Sequence, residues 1–257
     1  LCYRTYLQVT LPEINQTMAG SAQGSAVYAR WLDFPGEQLI SQVEVEIGGQ
    51  RMDKQYGQWL HIWNELTQQP GLQAGYANMV GNVPALTQVY SGADAEVPQT
   101  TLYIPLQFWF CRNPGLALPL IALQKNDITI RVDFNEYTKV WVPASGVRPG
   151  DLNVSIWVDY IYLDKQERRF VALSSHRYLI EQVQLTTAKT LRNVSHQEIS
   201  LNFNHPVKEI IWGFKNSLVS VNSPSEWHPG KVFGSARLML NGHERLARRK
   251  ESYFRLV

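Results

Sequence analysis

The chain has 257 residues, 44% hydrophobic and 18% charged, a composition that excludes disorder and low complexity. Its 24 basic and 22 acidic residues leave a formal charge of +2, too even for the broad positive field of a nucleic-acid or membrane-surface protein. Cys2 and Cys111 are too few for a disulfide framework or a Cys-based zinc site and are expected as reduced thiols; the longest apolar run, Leu116 to Leu123 with Pro119 inside it, is far shorter than the roughly 20 residues of a transmembrane helix.

The chain opens on LCYRTYLQVTLP, with no initiator Met and neither a basic leader nor a continuous apolar core, and reads as a piece of a longer chain. Most of its periodic segments alternate at a period of two, the signature of half-buried strands. Strands are expected at Tyr6 to Leu11 and Tyr28 to Leu32, then at LISQVEVEI, where Val43, Val45 and Ile47 share one face and Gln42, Glu44 and Glu46 the other. Tyr56, Trp59, Leu60, Trp63 and Leu66 fall on one helical face, so a helix is expected from about Lys54 to Thr67, with Asp53 as its cap and Gly57 inside it.

Gln68 to Thr101 is rich in Gly, Pro, Ala and Asn and reads as a loop, as does Val142 to Asp151. Leu106, Phe108 and Phe110 form one alternating set, Ile128, Ile130, Val132 and Phe134 a second, and Val154, Ile156, Val158, Tyr160 and Tyr162 a third. Asp164 to Arg177 is the most charged stretch between strands and the natural junction between two domains. Beyond it, strands are expected at Leu179 to Leu185, Ile199 to Phe203, Val207 to Trp212 and Ala236 to Leu240. So many short strands predict an all-β sandwich or barrel architecture.

The chain also echoes itself. Val43, Val45 and Ile47 lead into Gly48-Gly49, then Arg51 and a helix; Ala236, Leu238 and Leu240 lead into Asn241-Gly242, then Arg245 and a segment able to start a helix. The offset is 193 residues, and two copies of one β domain explain it, the second copy lacking its closing strands and exposing unpaired edges.

No catalytic signature is present: there is no G-x-S-x-G elbow, Walker loop, H-E-x-x-H or G-x-G-x-x-G. The six histidines, 61, 176, 196, 205, 228 and 243, never form an H-x-H pair; His196 and His205 sit on neighbouring expected strands without an acidic companion at ligand spacing, so no metal is expected. Asp133 with Glu136, or Asp159 with Asp164, are the candidate carboxylate pairs for glycoside hydrolysis, and solvated strand positions account for them more simply. The basic RLARRKESYFR reads as a helix start or subunit contact rather than a phosphate site, and the sequons at Asn15, Asn153 and Asn193 occur at chance frequency.

Aromatic residues are in excess. Tyr103, Phe108, Trp109, Phe110, Trp141, Trp157, Trp212 and Trp227 exceed what two thin sandwiches need inside, and Trp109 and Trp157 are in phase with the outward series. Outward aromatics on strands point to a carbohydrate platform or a buried protein interface, and the low charged fraction favours the interface.

Five blocks resemble the major capsid proteins of nucleocytoplasmic large DNA viruses, the group that includes chloroviruses, iridoviruses and mimiviruses: VEVEIGGQRMDKQYGQWLHIWNEL, YIPLQFWFCRNPGLALPLIALQ, VDYIYLDKQERRF, HRYLIEQVQ and NFNHPVKEIIW, in family order. Arg177, where the family pattern suggests an acidic residue, and Gly213-Phe214 mark a divergent member. The resemblance implies a double jelly roll with a short helix after the first repeat hairpin. The expected layout is a first jelly roll at 1–163, a linker at 164–177 and a truncated second jelly roll at 178–257. It further implies a structural, non-enzymatic subunit with no cofactor and no catalytic or metal site. Such a subunit forms homotrimeric pseudo-hexagonal capsomers that tile an icosahedral shell, with minor capsid proteins as further partners and no direct nucleic-acid contact. The expected locations are the virion capsid and, during assembly, the host cytoplasm. A carbohydrate-binding jelly-roll module and a sandwich-fold glycoside hydrolase are the alternatives.

Overall fold

A computed structural model describes residues 1–14, 30–88, 97–142, 150–186, 188–190, 195–214 and 233–256. The chain divides into two compact units, Leu1–His205 and Pro206–Val257. The first contains, in chain order, β1 (Cys2–Leu11), β2 (Arg30–Trp31), α1 (Pro35–Leu39), β3 (Ile40–Ile47), β4 (Gln50–Tyr56), α2 (Gly57–Thr67), α3 (Gln73–Val80), α4 (Pro84–Thr87), β5 (Thr100–Pro105), α5 (Trp109–Arg112), β6 (Ile128–Phe134), β7 (Trp141–Val142), β8 (Asn153–Tyr160) and α6 (Lys165–Leu173). The second contains β9 (Ser235–Leu240), β10 (His243–Lys250) and α7 (Glu251–Leu256).

Strand alternation builds two three-stranded antiparallel sheets in the first unit. In β5–β1–β8, Leu7, Val9 and Leu11 point inward beside Leu102 and Ile104 of β5, and all five are fully buried. In β4–β3–β6, Val43 and Val45 are fully buried, while Glu44 and Glu46 lie on the outer face, paired with Arg51, Lys54 and Arg131. The short β2–β7 pair sets Trp31 edge-on to Trp141 at 5.1 Å, and both indoles are buried in the same core.

The helix after the first hairpin starts later than its periodicity suggests. Residues 50–56 continue as β4, and α2 begins at Gly57, so Asp53 is a strand residue and not a cap. The reason is pairing, since residues 50–56 continue the ladder with β3 as far as Tyr56 opposite Gln42, and the helix then starts at a Gly whose Cβ would lie 2.1 Å from the Glu37 carbonyl oxygen and 2.4 Å from that of Ile40. The buried face of α2 is accordingly Gly57, Leu60, His61 and Asn64, and Leu66 is exposed.

Leu106, Phe108 and Phe110 are buried, but they are not strand residues. After Pro105 the Leu106 amide donates to the Thr5 carbonyl, and the chain then turns into α5. This turn carries Trp109 inward too, edge-on to Phe110 at 5.3 Å, contrary to the outward phase that strict alternation assigns it. The stretch read as a loop from Gln68 to Thr101 carries α3 and α4. The charged junction holds α6, closed by a capping box in which Asp164 accepts from the Glu167 amide at 2.7 Å and Glu167 accepts from the Asp164 amide. The expected strands at Leu179 to Leu185, Ile199 to Phe203 and Val207 to Trp212 belong to no ladder among the described residues, because alternation produces a strand only where a neighbouring edge supplies hydrogen bonds.

The hairpin echo holds its register through the turn. Gly48 and Gly49 have φ of 59° and 78°, and Asn241 and Gly242 have 50° and 78°, the left-handed pair of a type I′ turn. Ile47 pairs with Gln50 as Leu240 pairs with His243; Glu46 pairs with Arg51 as Met239 pairs with Glu244; and each second strand then bulges by one residue, at Met52 and at Arg245. A helix succeeds both hairpins.

Candidate functional site

The candidate catalytic groups either make structural hydrogen bonds or are exposed. Asp133 accepts from the Gln42 side chain on the outer face of β6, and Asp164 caps α6, while Glu136 and Asp159 are exposed. His196 and His205 are both exposed. No cluster of His, Cys, Asp or Glu suited to a metal ion occurs among the described residues. Asn153 is exposed at the start of β8, whereas Asn15, Asn193, His228 and Trp227 lie outside the described residues, as does most of the expected loop at 142–151. No described helix is long and apolar enough to cross a membrane.

Two buried polar nodes, neither of them legible in the sequence, organise the first unit. Glu37 of α1 is 2% exposed and uses both carboxylate oxygens: Oε2 lies 2.7 Å from Nδ1 of His61 on α2, and Oε1 accepts from the Tyr76 hydroxyl of α3 at 2.6 Å. The Phe34 ring packs edge-on against His61 at 4.6 Å. Burial and the adjoining Glu37 push the Tyr76 phenol well above its usual range. With both oxygens engaged inside the protein, Glu37 ties three helices together.

Asp53 is the second node. The residue is 3% exposed, and its carboxylate accepts from the Lys54 amide, the Gln55 side chain and, at 3.0 Å, the Val183 amide. Burial raises its pKa, against the opposing pull of these hydrogen bonds and the Arg112 charge. Around it the extended segment 180–183 is strapped down: Ile180 packs on the core, Glu181 accepts from Arg112 at 3.1 Å, and the Gln182 side chain donates to the Met52 carbonyl. Arg112 also stacks over the Trp63 ring at 4.0 Å and donates from Nε to the Gln107 carbonyl.

Outside these nodes the surface is uneven. The outer face of β4–β3–β6 is laced with ion pairs, whereas the outer face of β5–β1–β8 presents Tyr103, 45% exposed, and Trp157, 59% exposed. Trp157 therefore keeps the outward position its phase assigns. In the second unit Trp212, Phe254 and Tyr253 form a chain of edge-on rings, so RLARRKESYFR is in part strand β10 and in part the start of α7.

The family model described as major capsid protein N-terminus matches residues 1–164, and that of the large eukaryotic DNA virus major capsid protein matches residues 167–257. The chain is 50% identical over 243 residues to a major capsid protein of Phaeocystis pouchetii virus, covering 82% of this chain and 46% of that protein. It is 46% identical over 257 residues to one of Pyramimonas orientalis virus, covering 100% of this chain and 59% of that one. The chain thus spans about half the length of the curated relatives it matches. Among solved structures, VP54 of PBCV-1, fitted into a cryo-EM reconstruction of the virophage Sputnik, superposes with a TM-score of 0.76 at 31% identity, over 99% of this chain and 65% of that one. A quasi-atomic model of the PBCV-1 capsid gives 0.71 at 29% identity, with the same coverage. The fold class is that of these neighbours, the double jelly roll.

Proposed function

The chain belongs to the family of major capsid proteins of large eukaryotic DNA viruses, and from that membership we propose that it is the structural subunit of a viral shell, acting by self-assembly rather than turnover. The observation that carries this reading is the tandem match of two capsid models, joined at 164–167, over a chain whose two hairpins repeat turn, bulge and subsequent helix at an offset of 193 residues. The same observations support a layout of a first jelly roll at 1–163, a linker at 164–177 and part of a second jelly roll at 178–257.

Three chains with two similar barrels each give six similar corners, so a homotrimer fits a pseudo-hexagonal tile. Closed symmetry repeats every contact, and obligate interfaces of about 2,000 Å² or more make such a tile rigid. Contacts between tiles are weaker and add through multivalency, which leaves errors correctable during growth. Minor capsid proteins are proposed as further partners, the virion capsid as the site of residence and the host cytoplasm as the site of assembly. Neither the carbohydrate-binding nor the hydrolase reading draws support from the relatives. The test is the solution mass of the full-length gene product by light scattering, followed by electron microscopy of the particles. A stable trimer that packs into sheets or shells is expected, and a well-folded, strictly monomeric product overturns the reading.

A further inference from the structure

We propose that the outer face of the β5–β1–β8 sheet, centred on Trp157 and Tyr103, is a surface on which a second copy of this chain docks; the inference rests on the capsid-subunit reading and names a face that takes part.

Register fixes what this face carries. Across the three strands Tyr6 lies between Pro105 and Trp157, Gln8 between Tyr103 and Ser155, and Thr10 between Thr101 and Asn153. None of these side chains is charged. Trp157 donates from its indole nitrogen to Ser155 Oγ at 3.1 Å, which lays the ring along its own strand, and the Thr10 and Thr101 hydroxyls are 3.3 Å apart. The other sheet of the same unit is the internal control: its outer face sets Glu44 and Glu46 against Arg51, Lys54 and Arg131. A solvated face carries paired charges; an uncharged face with exposed Trp and Tyr has the composition of an interface centre.

The rim of this face says what covers it. At the β1 bulge Tyr3 and Arg4 together stand opposite Asp159, which lies two residues beyond Trp157 on the same side of β8; Arg4 and Asp159 are both exposed. One cation and one anion beside an uncharged centre are answered by the same pair on another copy, whereas a uniformly charged partner would be repelled by one of them. The inward residues of β8 are also incompletely covered, Val154 at 37% and Ile156 at 43% exposure, against full burial of their β1 neighbours Leu7 and Val9. A copy seated along this strand covers its outer face, where Ser155 and Trp157 are exposed, beside an edge that is otherwise a pairing hazard.

The experiment uses the full-length gene product as wild type, as Trp157→Glu, as Ser155→Lys and, on the ion-paired face, as Thr129→Glu. Each is measured by light scattering over a dilution series, by circular dichroism for the fold, and by binding to a glycan array. Expected are oligomers of the wild type and of Thr129→Glu, and a dissociation constant raised at least about tenfold in Ser155→Lys and Trp157→Glu with an unchanged dichroism spectrum. Ser155→Lys keeps the test sharp should Trp157→Glu fail to fold, since Ser155 is exposed and the hydrogen bond it gives up is to the exposed Trp157 indole of the same face. Oligomers of unchanged strength in both variants overturn the docking face while leaving the capsid reading in place. Glycan binding that disappears in Trp157→Glu with assembly intact overturns it in favour of a sugar. A monomeric wild type overturns the capsid reading and this inference together.

Discussion

The backbone amide of Val183 donates to Asp53 Oδ1 at 3.0 Å, across 130 residues of chain. Both residues lie in the first unit, so a buried carboxylate on β4 fastens the extended segment 180–183 within it.

Removing that carboxylate strips the Lys54 and Val183 amides of their acceptor and takes one of two from the Gln55 side chain, which also donates to the Gln107 carbonyl. Asp53→Ala is expected to destabilise the first unit by roughly 2–4 kcal/mol, and Asp53→Asn, which keeps one acceptor oxygen, by less. Denaturant unfolding measures the loss, and hydrogen exchange at the Val183 amide should accelerate in the Ala variant.

The same group gives a pH dependence. Burial raises the Asp53 pKa above its ordinary 3.8, so between that value and its raised folded value the native state holds more proton than the unfolded chain. Linkage then makes the Asp53 contribution most favourable at the acid end of this window and lowers it as pH rises through the folded pKa. The difference in unfolding free energy between wild type and Asp53→Asn, monitored upward from about pH 4, should shift against the wild type; a flat difference would contradict the assignment.

Gly57→Ala is expected to be among the most damaging single-methyl changes, by roughly 3 kcal/mol, since its Cβ would meet two backbone carbonyls that cannot swing away. Gly75→Ala in α3 meets nothing within 4 Å and should stabilise by up to about 1 kcal/mol. Thermal melts of the two variants should move in opposite directions.

Tyr76→Phe removes one of the partners of buried Glu37 and should cost about 1–3 kcal/mol. Loosening of α3 should appear as faster proteolysis near 73–80 before global unfolding.

Both thiols should be inert in the native protein. Cys2 and Cys111 are buried, and burial pushes Cys111 up to about 12. Ellman's reagent at about pH 8 should react slowly with the folded chain and rapidly with both cysteines after denaturation.

The legible part of this protein is the part with a local cause. Alternation placed β1, β3, β6 and β8 because a strand's side-chain period is built into its backbone, and the paired turns at Gly48-Gly49 and Asn241-Gly242 exposed the duplication because a type I′ turn demands positive φ from specific residues. The Asp164-Glu167 capping box is equally local, although the charged stretch that holds it read as a linker and not as a helix. The inward turn of Trp109, the late start of α2 at Gly57, and the engagement of Glu37 with His61 and Tyr76 and of Asp53 with Val183 each depend on a group distant in the chain arriving within bonding or contact distance. Periodicity carries no record of that arrival, so long-range packing assigned these residues their places.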